Sequence, residues 1–263
     1  MKVRIKFSKS GPLKFIGHLD VMRYFQKAFR RAELDVEYSQ GYSPHQLMSF
    51  AAPLGVGLTS DGEYLDVSMI SCEAPDQMIQ KINEVMNEYI RIEDFKLLPD
   101  NSKNAMSIVA GADYLLSLKD GYDFMDNAVF EQNFTAFFKQ ESITITKKSK
   151  KSENIVDIKP MIYHIAFEED KFLESKGSVS ETKNIQTVAE TYENGIKVYM
   201  QLATGSVNNL KPELVMEAFC QYTGVEFKPF AFQVHRLEVY ADLGDEINRK
   251  LIPLDRFGSY HES

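Results

Sequence analysis

The chain has 263 residues, of which 44% are hydrophobic and 26% are charged, with a formal net charge of −8. This composition is typical of a globular protein with a sizeable core, and the lack of any run of about 18 apolar residues excludes a membrane-spanning helix. The acidic balance disfavours broad non-specific binding to nucleic acid. The first residues form no apolar signal segment, and the two cysteines form no disulfide framework, so we expect a cytoplasmic protein.

Charge is unevenly distributed along the chain. Residues 1–60 carry nine Lys or Arg and four Asp or Glu, a net charge of +5. Residues 61–100 carry three basic and ten acidic residues, a net charge of −7. The first segment can therefore present a basic face, unless the acidic segment folds back over it and neutralises it. The sequence leaves both possibilities open.

The first hundred residues predict the order β-α-β-β-α-β. Alternating charged and apolar residues predict a half-buried strand at the start of the chain, and apolar residues at spacings of three and four predict an amphipathic helix after it. The predicted elements are a strand at Lys2–Phe7, a helix with the stripe Leu19, Met22, Phe25, Phe29 and Ala32, strands at Val36–Ser39, Gln46–Ala51 and Glu63–Met69, a helix from Pro75 to Ile90, and a strand at Arg91–Leu98.

The remaining chain repeats a similar order after a polar break at 99–105. The predicted elements are strands at Tyr114–Lys119, Ile143–Thr146, Met161–Phe167, Gly195–Ala203 and Ala231–Tyr240, with helices at Asn127–Lys139 and Pro212–Tyr222. We therefore predict an α+β protein of two tandem ferredoxin-like halves with mainly antiparallel sheets. The predicted domains are residues 1–98 and 106–263, the second with a hydrophilic insertion near 147–194.

The start of the first helix carries two polar residues with possible roles. His18 stands at the helix N-terminus, where it can act as a general acid or base or contact a phosphate. Asp20 is better explained as a capping residue that satisfies free backbone N–H groups. Gly17 precedes both and is the expected N-cap.

A basic surface is predicted on the same helix. Arg23, Lys27 and Arg30 follow one another at spacings of four and three, and Arg31 shares a face with Lys27. Such a face can bind a polyanion through guanidinium–phosphate contacts, although a solvated helix face is the simpler explanation. Arg31 has the alternative of pairing with Glu63 or Asp66 inside the fold.

The loop from Ser39 to Ser60 is rich in glycine and proline. Turn chemistry explains those residues, but it does not explain the polar side chains that accompany them, and we predict that these line a pocket. The pocket candidates are Ser39, Gln40, Ser43 and His45.

Three further patterns bear on the function. The lysine-rich segment 147–151 can contact an RNA backbone or serve as a solubilising loop. The segment before the last helix offers a secondary anion site, with Ser206, Asn208, Asn209 and Lys211 as candidates. Scattered histidines without paired cysteines predict no metal site, and the absence of a Walker loop or nucleophile elbow predicts no cofactor and no catalytic residues of those classes.

Residues 13–67 resemble the signature of the radical-SAM-linked protein family, bacterial proteins fused to or encoded beside cobalamin-binding radical SAM proteins. A weaker block near 205–212 resembles it too, while Gly17 departs from the serine usual in that family. The matching residues are His18, Leu19, Asp20, Arg23, Arg30, Arg31, Ser39, Gln40, Gly41, Pro44, His45, Phe50, Ala51, Pro53, Leu54, Gly57, Ser60 and Glu63.

The resemblance implies a cobalamin-binding radical SAM partner encoded nearby. Because a radical SAM cluster needs three thiolates and the chain has two cysteines, the resemblance implies an accessory protein, without a catalytic activity of its own, that presents RNA or another anionic substrate. The substrate-binding candidates are His18, Arg23, Lys27, Arg30, Arg31, Ser39, Gln40, His45 and Glu63. Two alternatives stay open: a metal-independent endoribonuclease of the RAMP-like fold, with His18 or His45 as acid or base, and a purely structural docking subunit.

Overall fold

The computed structural model describes residues 1–148, 153–176, 187–245 and 248–258. These residues form two compact units. The first contains the described residues of Met1–Gly111, Asn184–Ala189 and Arg236–Ser263, and the second contains those of Ala112–Lys183 and Glu190–His235. The strands β5 (Val109–Leu118) and β10 (Phe232–Asp242) contribute residues to both.

The first unit begins with the predicted order of elements. The elements are β1 (Lys2–Lys9), α1 (His18–Arg31), β2 (Met48–Phe50), β3 (Thr59–Ser68), α2 (Pro75–Asn83), β4 (Ile90–Leu98), α3 (Ala105–Ile108) and β11 (Leu251–Pro253), with 3-10 helices at Gly11–Phe15 and Leu254–Arg256. The strand order is β4-β1-β3, and β2 also pairs with β3. The pairs β1–β3, β1–β4 and β2–β3 are antiparallel.

One face of β1 carries the hydrophobic core of this unit. Val3, Ile5 and Phe7 are buried against the inner side of α1. The ring of Phe25 lies at the centre, 4.8 Å from Phe7 and 5.7 Å from Phe50 between centroids, in edge-to-face contacts. Such contacts add to the stabilisation that burial of the rings provides. This packing holds the start of α1 against the end of β1.

The opposite face of β1 is buried too, which corrects the prediction of a half-buried strand. Every residue from Val3 to Lys9 is buried. Arg4 donates two hydrogen bonds to Asp66, and Lys6 Nζ lies 2.6 Å from Glu238 and 3.1 Å from Asp255. Buried charges are tolerated when they are paired and hydrogen-bonded. The alternation therefore indicates a strand with one apolar face and one ion-paired face, both inside the protein.

The second unit contains a phenylalanine-rich core. Besides β5, its elements are α4 (Asn127–Phe138), β6 (Thr144–Lys148), β7 (Glu153–Asp157), β8 (Ile162–Ala166), α5 (Glu169–Ser175), β9 (Lys197–Ala203) and α6 (Pro212–Thr223), with a 3-10 helix at Lys159–Met161. The rings of Phe134 of α4 and Phe219 of α6 lie 4.9 Å apart between centroids, and Phe130 and Phe137 contact Phe219 as well. The strands β5, β9 and β8 are adjacent in that order, and β6 pairs with β7.

The α+β class and the mostly antiparallel pairing of strands are confirmed. The predicted strands and helices recur within a few residues of their predicted bounds, with three exceptions. Val36–Ser39 forms isolated bridges, the strand at Gln46–Ala51 shortens to β2, and the helix predicted from Pro75 to Ile90 ends at Asn83. The short elements α3, β7, α5 and β11 have no counterpart in the prediction. Two tandem ferredoxin-like halves, with a domain boundary at 99–105, stay a prediction.

Helix α1 buries a different set of residues from the predicted stripe. Its buried residues are Val21, Phe25, Ala28 and Phe29. Leu19 was predicted to be buried but is 59% exposed. Val21, Phe25, Ala28 and Phe29 lie on one side of the helix, whereas Leu19 stands about 160° around the axis from Val21, at about 100° per residue, and so falls on the exposed side.

Candidate functional site

A small hollow lies beside the first turn of α1. It has room for about one water molecule and is lined by Phe7, Lys9, His18, Val21, Phe50, Leu54 and Glu63. The ring of His18 stands edge-on to Phe50, with centroids 5.1 Å apart. Burial lowers the pKa of His18, which keeps the imidazole neutral near pH 7. The hollow thus combines apolar walls with an amine, an imidazole and a carboxylate.

Lys9 is the charged residue of this hollow that the sequence analysis did not single out. Its side chain is almost fully buried. Burial lowers the pKa of its ammonium group; the nearby carboxylate of Glu63 opposes this shift, and the guanidinium of Arg236 adds to it. The sequence contains one indication of this burial. Val3, Ile5 and Phe7 face the core at every second position of β1, and Lys9 occupies the next position of that series.

Glu63, a predicted substrate contact, is held inside the fold. Arg236 Nε donates to Glu63 Oε1 at 2.7 Å, and a second guanidinium nitrogen donates to Glu63 Oε2 and to the carbonyl oxygen of Ala52. Both side chains of this ion pair are buried. The proposed alternative pairing of Arg31 with Glu63 or Asp66 is wrong, because Arg236 and Arg4 occupy those carboxylates.

The predicted basic surface on α1 is present, and we call Arg23, Lys27 and Arg30 the α1 basic face. All three side chains are exposed. Arg23 makes a solvent-exposed ion pair with Asp20 at 3.2 Å, so Asp20 pairs with a side chain besides standing in the first helical turn. Arg30 Nε donates to the carbonyl oxygen of Gln26 at 3.1 Å. Arg31 is exposed but donates to the carbonyl oxygen of Val85 at 2.8 Å, which fixes its direction.

The loop candidates Ser39 and His45 form a local turn. Ser39 Oγ and His45 Nδ1 are 2.8 Å apart, and the backbone N–H of His45 donates to Ser39 Oγ at 3.1 Å. Gln40 and Ser43 are exposed on the same loop. The buried amide belongs instead to Gln46, which reaches Tyr38 at 3.3 Å. These contacts account for Ser39 and His45 through turn structure, and none of them joins the loop to His18.

Exposed apolar side chains accompany the start of α1. Phe15, Leu19 and Val56 are 66%, 59% and 61% exposed. The backbone N–H of Gly57 donates to the carbonyl oxygen of Lys14 at 2.7 Å, which holds the loop carrying Val56 against the segment carrying Phe15. Exposed apolar groups on adjoining segments are a feature of interaction surfaces.

The secondary anion candidates lie on an exposed loop of the second unit. Ser206, Asn208, Asn209 and Lys211 are all exposed, and Lys211 is the N-cap of α6 without a side-chain cap. Pro212 occupies the first helical position, which explains the end of the loop. The side chains of the lysine-rich segment 147–151, and His261, lie outside the described residues.

Other chemistry is limited in the part of the chain that the structure describes. Within residues 1–148, 153–176, 187–245 and 248–258, no group of three or more His, Cys, Asp or Glu is placed to hold a metal ion. Burial raises the pKa of Cys72, and that of Cys220 to about 11, so both stay protonated thiols near pH 7. None of the described helices is long and apolar enough to cross a bilayer.

The comparisons with known proteins give a family. A family model described as "Uncharacterized protein conserved in bacteria (DUF2344)" matches residues 2–212. This match covers well over half of the chain, and the protein therefore belongs to that family. A search of curated proteins finds no match. The family description assigns no activity, and the resemblance to radical-SAM-linked proteins stays a prediction.

Proposed function

We propose that this member of an uncharacterized bacterial family is a non-catalytic accessory protein that binds an anionic substrate, RNA foremost, and presents it to a radical SAM partner. The observation that carries the proposal is the α1 basic face. Its three cations are exposed at successive turns of one 14-residue helix. Lys27 and Arg30 have no acidic partner among the described residues, which leaves their charges available to phosphate groups.

Two sequence features support a radical SAM partner. The block from Leu13 to Val67 resembles proteins that accompany such enzymes, and its matching residues include the start of α1. The chain itself has two cysteines, whereas a radical SAM cluster needs three thiolates, so the radical chemistry would have to come from a separate protein. The exposed Phe15, Leu19 and Val56 are the surface we assign to docking of the partner.

A ferredoxin-like identity of the first unit belongs to the same proposal. It is supported by the order β1-α1-β2-β3-α2-β4 and by the strand order β4-β1-β3, with β2 also on β3. The second half is proposed to be a variant of that arrangement with additional elements. Many ferredoxin-like proteins do not bind RNA, so the α1 basic face, and not the fold, carries the function.

The test is RNA binding by a charge-neutralised variant. Lys27→Ala with Arg30→Ala is compared with Lys81→Ala with Arg91→Ala, which removes one cation of α2 and one of β4. Fluorescence anisotropy with single-stranded RNA is measured from 50 to 300 mM salt. We expect the first variant to bind on the order of tenfold more weakly, with a log–log salt slope reduced by about 1.4, and the second to resemble the wild type. Equal binding by all three would reject the proposal.

Partner docking is tested separately. The chain is co-expressed with a cobalamin-binding radical SAM protein from the same gene neighbourhood and purified. Retention of the partner that is lost on Leu19→Asp with Val56→Asp supports docking through the apolar surface. Retention that is instead lost on Arg23→Glu with Arg30→Glu, without any bound RNA, would favour the purely structural docking subunit.

A metal-independent endoribonuclease is the second candidate, on one observation. His18 is neutral near pH 7 because burial lowers its pKa, and no described residue hydrogen-bonds its ring nitrogens, so it can accept a proton. Incubation with RNA in EDTA distinguishes the candidates. Cleavage that disappears in His18→Ala would establish the enzyme, and intact RNA would remove it.

A further inference from the structure

The hollow beside α1 contains a buried cation with poor hydrogen bonding. Lys9 is 1% exposed, and an ammonium group has three hydrogens to donate. Among the acceptors in the described residues, the carbonyl oxygen of Ile16 is the one in reach of Lys9 Nζ, and it is 3.4 Å away, near the limit for a hydrogen bond. A buried ammonium group with so few hydrogen bonds costs free energy, unless a further acceptor binds its remaining hydrogens.

The nearby charges do not cancel this cation. Glu63 is occupied by its two-point ion pair with Arg236, so the pair contributes no net charge. His18, on the wall of the same hollow, is neutral near pH 7 and carries no hydrogen bond from the described residues at either ring nitrogen. The sum over Lys9, Glu63, Arg236 and His18 is one positive charge. The four groups therefore carry a net positive charge, and the carboxylate of Glu63, which also lines the hollow, offsets part of the attraction for an anion.

The first turn of α1 adds to this positive potential. The N-cap is Gly17, which has no side chain to satisfy the free N–H groups of that turn. Asp20 is the acidic residue of the first turn, and its carboxylate pairs with Arg23 in solvent. The N-terminus of a 14-residue helix attracts negative charge and presents N–H donors to it.

We propose that the hollow and the first turn of α1 form a binding site for a phosphate ester. One phosphate oxygen enters the hollow, in the room of one water molecule, and accepts a hydrogen bond from Lys9 Nζ. The remaining oxygens stay at the mouth, where His18 and the first-turn N–H groups donate to them. The ion pair of Glu63 and Arg236 holds the wall in place. This site is separate from the α1 basic face and does not depend on it.

Inorganic phosphate is the first probe. Thermal unfolding and calorimetric titration are carried out with phosphate and with chloride at equal ionic strength. We expect a saturable rise of the unfolding midpoint with phosphate alone, and at least a tenfold loss of phosphate affinity in Lys9→Met. Lys2→Met, on the same strand but exposed, keeps the wild-type affinity. In chloride, Lys9→Met is expected to be no less stable than the wild type, because the buried ammonium is gone.

A second variant tests the site independently, in case Lys9→Met does not fold. His18→Phe keeps the ring contact with Phe50 and removes the ring nitrogens, and we expect it to weaken phosphate binding severalfold. The matched change His45→Phe, on the exposed turn, leaves binding unchanged. Equal effects of phosphate and chloride on the wild type, or equal phosphate affinity in Lys9→Met and the wild type, would overturn the proposal.

Two further ligands distinguish whether the bound phosphate ester belongs to a small metabolite or to an RNA end. Ribose 5-phosphate represents a small metabolite, and an eight-nucleotide RNA is compared with and without a 5′-phosphate. Tighter binding of the phosphorylated RNA that depends on Lys9 identifies an RNA end. Equal affinity of ribose 5-phosphate and the phosphorylated RNA identifies a small ester. Because Lys27→Ala with Arg30→Ala leaves the hollow intact, a failure of RNA binding along α1 is distinguishable from a failure at Lys9.

Discussion

Arg236 and Glu63 form a buried, two-point ion pair across 173 positions of sequence. The pair joins β10 to β3 within the first unit and forms part of the wall that holds Lys9. The guanidinium also donates to the carbonyl oxygen of Ala52, so three of its donor contacts are satisfied inside the protein. Bidentate pairs of this kind fix geometry as well as charge.

Loss of Arg236 is expected to be strongly destabilising. Arg236→Met leaves Glu63 buried without its partner, which costs roughly 3–5 kcal/mol, whereas Glu63→Met with Arg236→Met removes both charges and recovers most of that loss. Urea denaturation measures the unfolding free energy of the single and the double variant. Arg249→Met is the matched control, because its ion pair with Asp242 is partly exposed and worth less than about 1 kcal/mol. Similar losses for Arg236→Met and Arg249→Met would contradict the burial of the pair.

Gly62 stands where two strands of the first unit approach closely. A Cβ atom at this position would lie 2.6 Å from the carbonyl oxygen of Leu237 and 3.0 Å from Cα of Glu238, both backbone atoms. We expect Gly62→Ala to cost roughly 1–3 kcal/mol in the free energy of unfolding. Gly17→Ser, at an open N-cap position, should instead raise the free energy of unfolding by roughly a few tenths of a kcal/mol. A neutral Gly62→Ala would show that the strands can separate.

Stability should fall in acid through His18. Burial lowers its folded pKa below the ordinary value of 6.5, so below that pH the unfolded chain binds more protons than the folded one. The stability contributed by neutral His18 is present above pH 6.5 and is lost as pH falls. The difference in unfolding free energy between the wild type and His18→Phe should therefore decrease below pH 6.5, by at most about 1.4 kcal/mol per pH unit.

The predicted decrease is checked by measuring the unfolding free energy of the wild type and of His18→Phe from pH 5 to 8. Lys9 and Glu63 line the same hollow, but they are present in both proteins, so the difference isolates the imidazole. An NMR titration of the His18 ring gives its pKa directly. Parallel stability curves, or a ring pKa at or above 6.5, would contradict the prediction.

The phenylalanine cluster should dominate the stability of the second unit. Phe219 is fully buried and contacts Phe130, Phe134 and Phe137. Phe219→Ala is expected to cost about 3–5 kcal/mol, since it removes a ring and leaves a cavity. Tyr222→Ala, one turn later and 48% exposed, should cost less than about 1 kcal/mol. Calorimetry distinguishes the two, and equal effects would place Phe219 outside the core.

Local patterns predicted most of the secondary structure but few of the charge partners. Periods of two and of three to four follow from neighbouring residues, so β1, α1, α4 and α6 were predictable. The same alternation in β1 pointed to solvent for Arg4 and Lys6, because water is the default environment of a charge. Their partners Asp66 and Glu238 lie 62 and 232 positions away, beyond any local pattern.

Local patterns likewise predicted some residues of the candidate site and missed others. Helical spacing alone predicted the α1 basic face, which is exposed as expected. The loop polar residues were grouped by their closeness in sequence, and Ser39 and His45 do contact each other, but in a turn. Lys9 was overlooked because a single lysine on a strand carries no motif, and only its burial beside His18 makes it notable.

The sequence by itself determined the α+β class, the order of the elements from β1 to β4 and the charge of the outer face of α1, because each depends on residues a few positions apart. The tertiary structure decided which charges are buried, that the described residues from Arg236 onward join the first unit, and that Lys9 is desolvated beside His18. The physical reason is that desolvation and ion pairing depend on which distant residues the folded chain brings within a few ångströms. Spacing along the sequence carries no record of those distances.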